Sequence, residues 1–185
     1  LRVETAGSVS DDPGDVFDLA EFYMASEPVE AGDVVVVDDA AAVRVRKSVS
    51  AYASALMGVV STSPAIAIEE EWFAVGGVRQ QDPFKPLVAL VGRVSVKVTD
   101  ENGAIRPGDR LTSSATRPGY AMKATASGMT LGVALVPLEQ GEGKVRVWLN
   151  VGWWGGGDTQ LSVHERPDGT IGAAQNDLYM NGYAI

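Results

Sequence analysis

Pro28-Val29-Glu30-Ala31-Gly32-Asp33-Val34-Val35 and Ala104-Ile105-Arg106-Pro107-Gly108-Asp109-Arg110-Leu111 are two versions of one stretch, 76 positions apart. Lys47 and Lys123 keep the same spacing. Ala55-Leu56-Met57-Gly58-Val59-Val60 then matches Met129-Thr130-Leu131-Gly132-Val133-Ala134 at 74 positions, a two-residue slip absorbed in a loop. Each copy reads as a charged turn, Gly-Asp, a strand, a basic strand, a loop and an apolar strand carrying Gly. In the Gly-Asp step, glycine supplies the positive φ of a tight turn and aspartate hydrogen-bonds nearby backbone amides. Gly32, Asp33, Gly108, Asp109, Gly58 and Gly132 are therefore structural turn and strand positions. Two copies with an insertion between them predict an internally duplicated β-clip or small barrel, with halves at about 28–68 and 104–138.

The rest of the chain agrees with an all-β class. Glycine (21) and proline (9) cut the 185 residues into short runs, most of them rich in valine. Val34 to Val37, Val43 to Arg46, Val88 to Val98 and Val145 to Leu149 read as strands. Val94, Val96 and Val98 alternate with Ser95 and Lys97, and Val43 and Val45 with Arg44 and Arg46, as half-buried strands do. At most one short helix is expected, near residues 16–26, where Phe17, Ala20, Glu21 and Met24 fall at helical spacing. Phe22 and Tyr23 suit a strand equally well. Glu69 to Pro83 reads as a long loop or hairpin excursion.

Three segments follow. Residues 1–15 read as a strand and linker leaving a preceding stalk, 16–154 as the duplicated domain, and 155–185 as a tail joined through Gly155-Gly156-Gly157. That tail carries two turn signals, Pro167-Asp168-Gly169 and Asn181-Gly182. The chain opens at Leu1 and is expected to be a piece of a longer protein.

Composition narrows the function classes. The formal net charge of −9 disfavours nucleic acid and anionic lipid surfaces. The absence of cysteine excludes disulfides and thiol chemistry. A single histidine, His164, makes no histidine-rich metal site, so no metal and no cofactor is expected. No apolar run approaches the ~20 residues of a membrane span, and no phosphate-binding glycine loop or nucleophile elbow is present.

Several residues carry both a chemical and a structural reading. Asp18 and Glu21, three apart, are either a general acid/base pair on one helical face or a capping pattern. Asp11, Asp12, Asp15 and Asp18 read as a solvated acidic linker; their spacing is not that of a calcium loop. Arg44, Arg46 and Lys47 with Lys123 are either an anion site or outward strand faces balanced by acids. Trp72, Trp153, Trp154, Tyr179 and Tyr183 are candidates for a ligand or partner surface, because aromatics with a polar edge favour interfaces.

As a set, Asp18-Leu19-Ala20-Glu21, Val29 to Val37, Leu56 to Pro64 and Val88 to Val94 resemble the intramolecular-chaperone autoproteolytic domain of phage neck-appendage and tail-spike proteins. Ile105 to Lys123 and Val147 to Trp153 are similar to a C-terminal module of large bacterial surface proteins. The resemblance spans roughly residues 15–154. It implies a homotrimeric fibre or spike, extracellular, on a cell surface or on a virion, in which this module helps the stalk fold and register. Relatives cut themselves before an Asp-x-x-Glu motif; Asp18 and Glu21 match its acidic pair, and Phe17 stands where the relatives carry Ser. Three functions are thus expected in order: an assembly module, a self-cleaving peptidase using Asp18 and Glu21, and a receptor- or glycan-binding tip.

Overall fold

The computed structural model describes residues 17–69, 72–76, 78 and 82–156, together with four short strands between 163 and 184. The N-terminal strand and linker expected at 1–15, including Asp11, Asp12 and Asp15, lie outside the described residues. The domain contains β1 (Phe17–Phe22), β2 (Met24–Ala25), β3 (Val34–Val37), β4 (Arg44–Lys47), β5 (Leu56–Val60) and β6 (Ile66–Glu69). It continues with β7 (Trp72–Val75), β8 (Leu87–Thr99), β9 (Arg110–Ser113), β10 (Ala121–Lys123), β11 (Gly128–Ala134) and β12 (Glu142–Trp154). All twelve belong to one mixed sheet.

The sheet order is β10-β9-β11-β12-β8-β5-β3-β4-β2. Its centre is the antiparallel pair of 13-residue strands β8 and β12, in register from Thr99 opposite Glu142 to Val91 opposite Asn150. Each half hangs on one of them in the same sequence. Hairpin β3–β4 and strand β5 attach to β8; hairpin β9–β10 and strand β11 attach to β12. A parallel contact of β10 with β8, Ala121 opposite Val98, closes the second half into a small barrel.

The duplication holds bond for bond. The Asp33 amide donates to Glu30 O and the Asp109 amide to Arg106 O, both at 3.0 Å. The Glu30 and Arg106 amides donate back to Asp33 Oδ2 and Asp109 Oδ2 at 2.9 and 2.8 Å. Gly32 N reaches Val60 O and Gly108 N reaches Ala134 O, both at 2.8 Å. Gly32 and Gly108 take φ of 93° and 96°, values that glycine alone adopts without strain. Lys47 and Lys123 each face the aspartate of their own half, at 3.7 and 2.9 Å. The basic residues therefore divide between two turns and, with Arg46 on Asp38 and Asp39, balance local acids.

The core is what alternation predicts along β8: Val94, Val96 and Val98 are buried with Leu111, Leu131, Val145, Val147 and Leu149. Removing this apolar area from water is the main drive for the fold. One open reading is decided and one is corrected. The segment that helical spacing allowed as a helix is strand: β1 pairs antiparallel with β8 and parallel with β6, and β2 follows it. Paired strands on both sides satisfy its backbone, and tertiary pairing overrides a helical period only eight residues long. Val43, expected to share a buried face with Val45, lies just outside β4 at φ 54° and is exposed, whereas Val45 is buried.

The expected excursion after Glu69 is a hairpin, β6 with β7. In the tail, β13 (Val163–Glu165) and β14 (Ile171–Ala173) pair on either side of Pro167-Asp168-Gly169. β15 (Tyr179–Met180) and β16 (Tyr183–Ala184) pair on either side of Asn181-Gly182. The side chains of Tyr179, Tyr183 and His164 lie outside the described residues.

Candidate functional site

Strand β1 places the sequence-selected acids. Phe17, Leu19 and Glu21 lie on one face of it and Asp18 and Ala20 on the other, because successive residues of a strand alternate. Asp18 and Glu21 therefore project in opposite directions. Neither the helical acid/base pairing nor the helix cap forms, since both need a helical turn.

Asp18 is the unusual member. It is 2% exposed, and among the described residues its carboxylate oxygens accept no well-formed hydrogen bond, with the Ser61 hydroxyl and the Asp18 amide the nearby donors. Beside it sits Ser61, at the end of β5, itself buried with an unpartnered hydroxyl. Burial pushes the Asp18 carboxyl from 3.8 up to about 6, and the neighbouring Ser61 hydroxyl draws it partly back. The backbone around it is tightly held. Ala65 N donates to Asp18 O at 3.0 Å. Opposite Asp18 in β8 stands Gly92, where a Cβ would lie 2.3 Å from Phe17 O. Burying a carboxyl without a well-formed hydrogen bond is unfavourable, so this residue weakens the fold and can exchange a proton close to neutral pH.

Glu21 has a different environment. Its Oε2 accepts a 2.6 Å hydrogen bond from the Tyr23 hydroxyl, and burial together with Glu21 raises that phenol to about 12. The pair borders an open groove of about 540 Å³ whose other walls include Arg44, Glu69 and Lys85. Lys85 pairs with Glu69 and lies 5.1 Å over the Phe22 ring, which in turn meets the Trp72 ring at 6.1 Å.

The aromatic candidates scatter. Trp72 on β7 is 44% exposed, and Trp153 near the end of β12 is 72% exposed. Trp154, next to it, turns to the opposite side and is half-buried, as strand alternation requires. Sequence reading passed over a more coherent array. Phe17, Arg93 and Trp148 are direct cross-strand neighbours on β1, β8 and β12. The Arg93 guanidinium stacks 5.1 Å over the Phe17 ring. Val91, between Leu19 and Asn150, extends the same face. Phe17, Val91 and Trp148 are each 42–50% exposed. The signal was the odd-numbered series 91, 93, 95 on β8, the outward counterpart of the buried valines.

Among the described residues no group of three or more His, Asp or Glu side chains is arranged to hold a metal ion. Among them, too, no helix is long and apolar enough to cross a membrane.

Comparison with known proteins bears on the fold. No protein-family model and no curated protein sequence matches the chain. Among solved structures, the pre-mature bacteriophage phi29 gene product 12 is similar at TM-score 0.50 and 14% identity, over 74% of this chain and 22% of that one. The C-terminal fragment of the same phage protein gives TM-score 0.49 and 16% identity, over 72% of this chain and 100% of the fragment. The chain thus corresponds to about a fifth of the length of the pre-mature phage protein, and at this identity the likeness is one of fold.

Proposed function

We propose that this chain is a structural and assembly module of a virion or extracellular fibre, working as a closed homo-oligomer, a trimer by the neck-appendage resemblance. It would hold copies of the preceding stalk in register. The observation that carries this reading is the Phe17, Val91, Arg93 and Trp148 face on the central strands. Aromatic residues and arginine on an exposed sheet face have the composition of an association surface. The buried valine interior is given over to the duplicated barrel. The fold likeness to a bacteriophage protein and the resemblance of Val29–Val37 and Leu56–Pro64 to the neck-appendage domain point the same way. Sedimentation velocity tests it. Trp148→Glu, exposed and outside the core, is expected to convert the oligomer to folded monomer with unchanged circular dichroism. An oligomer unmoved by Trp148→Glu would mean that this face does not carry assembly.

A second reading is favoured by Asp18 alone. A buried carboxyl that accepts no well-formed hydrogen bond and has its pKa near 6 is suited to proton transfer, and self-cleavage of the Phe17–Asp18 bond would use it. Glu21, on the other face of β1, would act from a neighbouring copy. Incubation of intact chain followed by mass spectrometry is then expected to yield a product beginning at Asp18, absent in Asp18→Asn and Glu21→Gln. Wild-type chain that stays intact while fully oligomerised removes this reading and leaves the first untouched.

A further inference from the structure

The two Gly-Asp turns are matched in backbone bonding but differ in what surrounds the aspartate. Asp109 is partly open to solvent, and its ion pair with Lys123 is half-exposed. Asp33 is 1% exposed, and Lys97 Nζ from the central strand β8 lies 2.7 Å from its Oδ1. The Lys97 side chain is itself only 11% exposed. Its amine contacts a second carboxylate, Glu30, and lies 5.6 Å from the centre of the Tyr120 ring. Gly119 is so near that a Cβ there would come within 2.9 Å of Asp33 Oδ1. An amine, a buried carboxyl and a second carboxylate that reaches solvent thus meet in one closed corner. Lys97 N also donates to Gly32 O at 3.0 Å, so backbone bonding fixes the two reacting side chains to each other.

We propose that Lys97 and Asp33 are a modification site, at which the Lys97 amine and the Asp33 carboxyl condense into an intramolecular isopeptide bond, with Glu30 carrying the proton. Burial weighs against the Lys97 charge, and the Asp33 and Glu30 carboxylates outweigh it, so the resting state is an ion pair. The reaction begins when Lys97 passes a proton to Glu30 and the freed amine attacks Asp33 Cγ. The C–N bond forms and one Cγ–O bond breaks. Two of the three ammonium protons depart with that oxygen as water, and the third remains on the amide nitrogen. Charges and atoms balance without an oxidant or a co-reactant. The corner provides fixed contact between the reactants, which replaces a bimolecular encounter. It also provides a carboxylate to move the proton and partial exclusion of the water that would reverse the reaction. The product ties the first Gly-Asp turn to the central strand and removes an expensive buried charge pair.

Lys47, 3.7 Å from Asp33 Oδ2, holds the second carboxylate oxygen in an ion pair and is expected to slow its loss as water. The test is the intact mass of the denatured chain after incubation at neutral pH, followed by peptide mapping. The expected mass is lower than the sequence mass by one water, with a branched peptide joining Asp33 to Lys97 and none joining Asp109 to Lys123. Lys97→Arg, which keeps an ion pair and the fold, is expected to show the full sequence mass; Glu30→Gln is expected to slow the loss of water and Lys47→Met to speed it. Wild-type chain of full sequence mass after prolonged incubation overturns the proposal, and so does a bond formed equally at Asp109 and Lys123.

Discussion

Asp18→Asn is expected to stabilise the fold by about 3 kcal/mol at pH 8 and to leave it unchanged near pH 3. The sign follows from the direction of the shift. The Asp18 carboxyl has its pKa raised from 3.8 in the unfolded chain to about 6 in the folded one. Below 3.8 both states hold the proton and the residue is neutral to stability. Between 3.8 and about 6 the unfolded chain ionises while the folded chain keeps its proton, so stability falls as pH rises. Above about 6 the folded chain carries a buried carboxylate whose desolvation the neighbouring Ser61 hydroxyl offsets only in part, and the loss stays constant at about 3 kcal/mol. Asparagine keeps the shape and removes the charge. Urea midpoints of wild type and variant at pH 3 and pH 8 measure it; equal midpoints at pH 8 would mean that the carboxyl is not desolvated. A residue whose neutral isostere improves the fold owes its place to something other than stability, which is why Asp18 anchors the second functional reading.

Gly58→Ala and Gly132→Ala are each expected to destabilise the domain by about 3 kcal/mol or more, through overpacking and backbone displacement. They are the matched glycines of the duplication, and each lies where a neighbouring central strand comes closest. A Cβ on Gly58 would fall 2.1 Å from Ala89 O in β8, and one on Gly132 would fall 2.0 Å from Trp148 O in β12. In both places the obstacle is backbone of the central pair, which cannot yield without disturbing the ladder. Gly132 also has φ of 147°, a conformation side chains rarely adopt. Gly103→Ala is the contrast. Its φ is 90° and a Cβ there meets nothing, so only conformational strain remains, about 1 kcal/mol. Thermal or urea unfolding of the three variants separates the effects. A mild Gly58→Ala beside a severe Gly132→Ala would show that the two halves are not equivalent in packing.

The duplication was legible because Gly-Asp turns leave a mark in sequence. Gly32 and Gly108 must take positive φ, Asp33 and Asp109 must close the turn, and Lys47 and Lys123 follow at a fixed distance. The β8 core was legible from the period of Val94, Val96 and Val98. Strand β1 was not, since Phe17, Ala20, Glu21 and Met24 satisfy a helical period and only the edges of β6 and β8 decide otherwise. Burial of Asp18 was illegible for a related reason: it depends on Ser61 and Gly92, far along the chain, meeting β1. Lys97 looked like an outward residue of an alternating strand, and it is closed over by Asp33 from the first Gly-Asp turn. The Phe17, Arg93 and Trp148 array joins three strands, and each residue alone is an ordinary surface side chain.

The absolute mass of the purified chain by light scattering, checked against its length on a denaturing gel, tests the assembly reading most directly. A closed oligomer of intact chains, three by the resemblance, dissociating when Trp148 becomes glutamate, is the expected result. An intact wild-type monomer at micromolar concentration, with Trp148 equally exposed in solution, would contradict it.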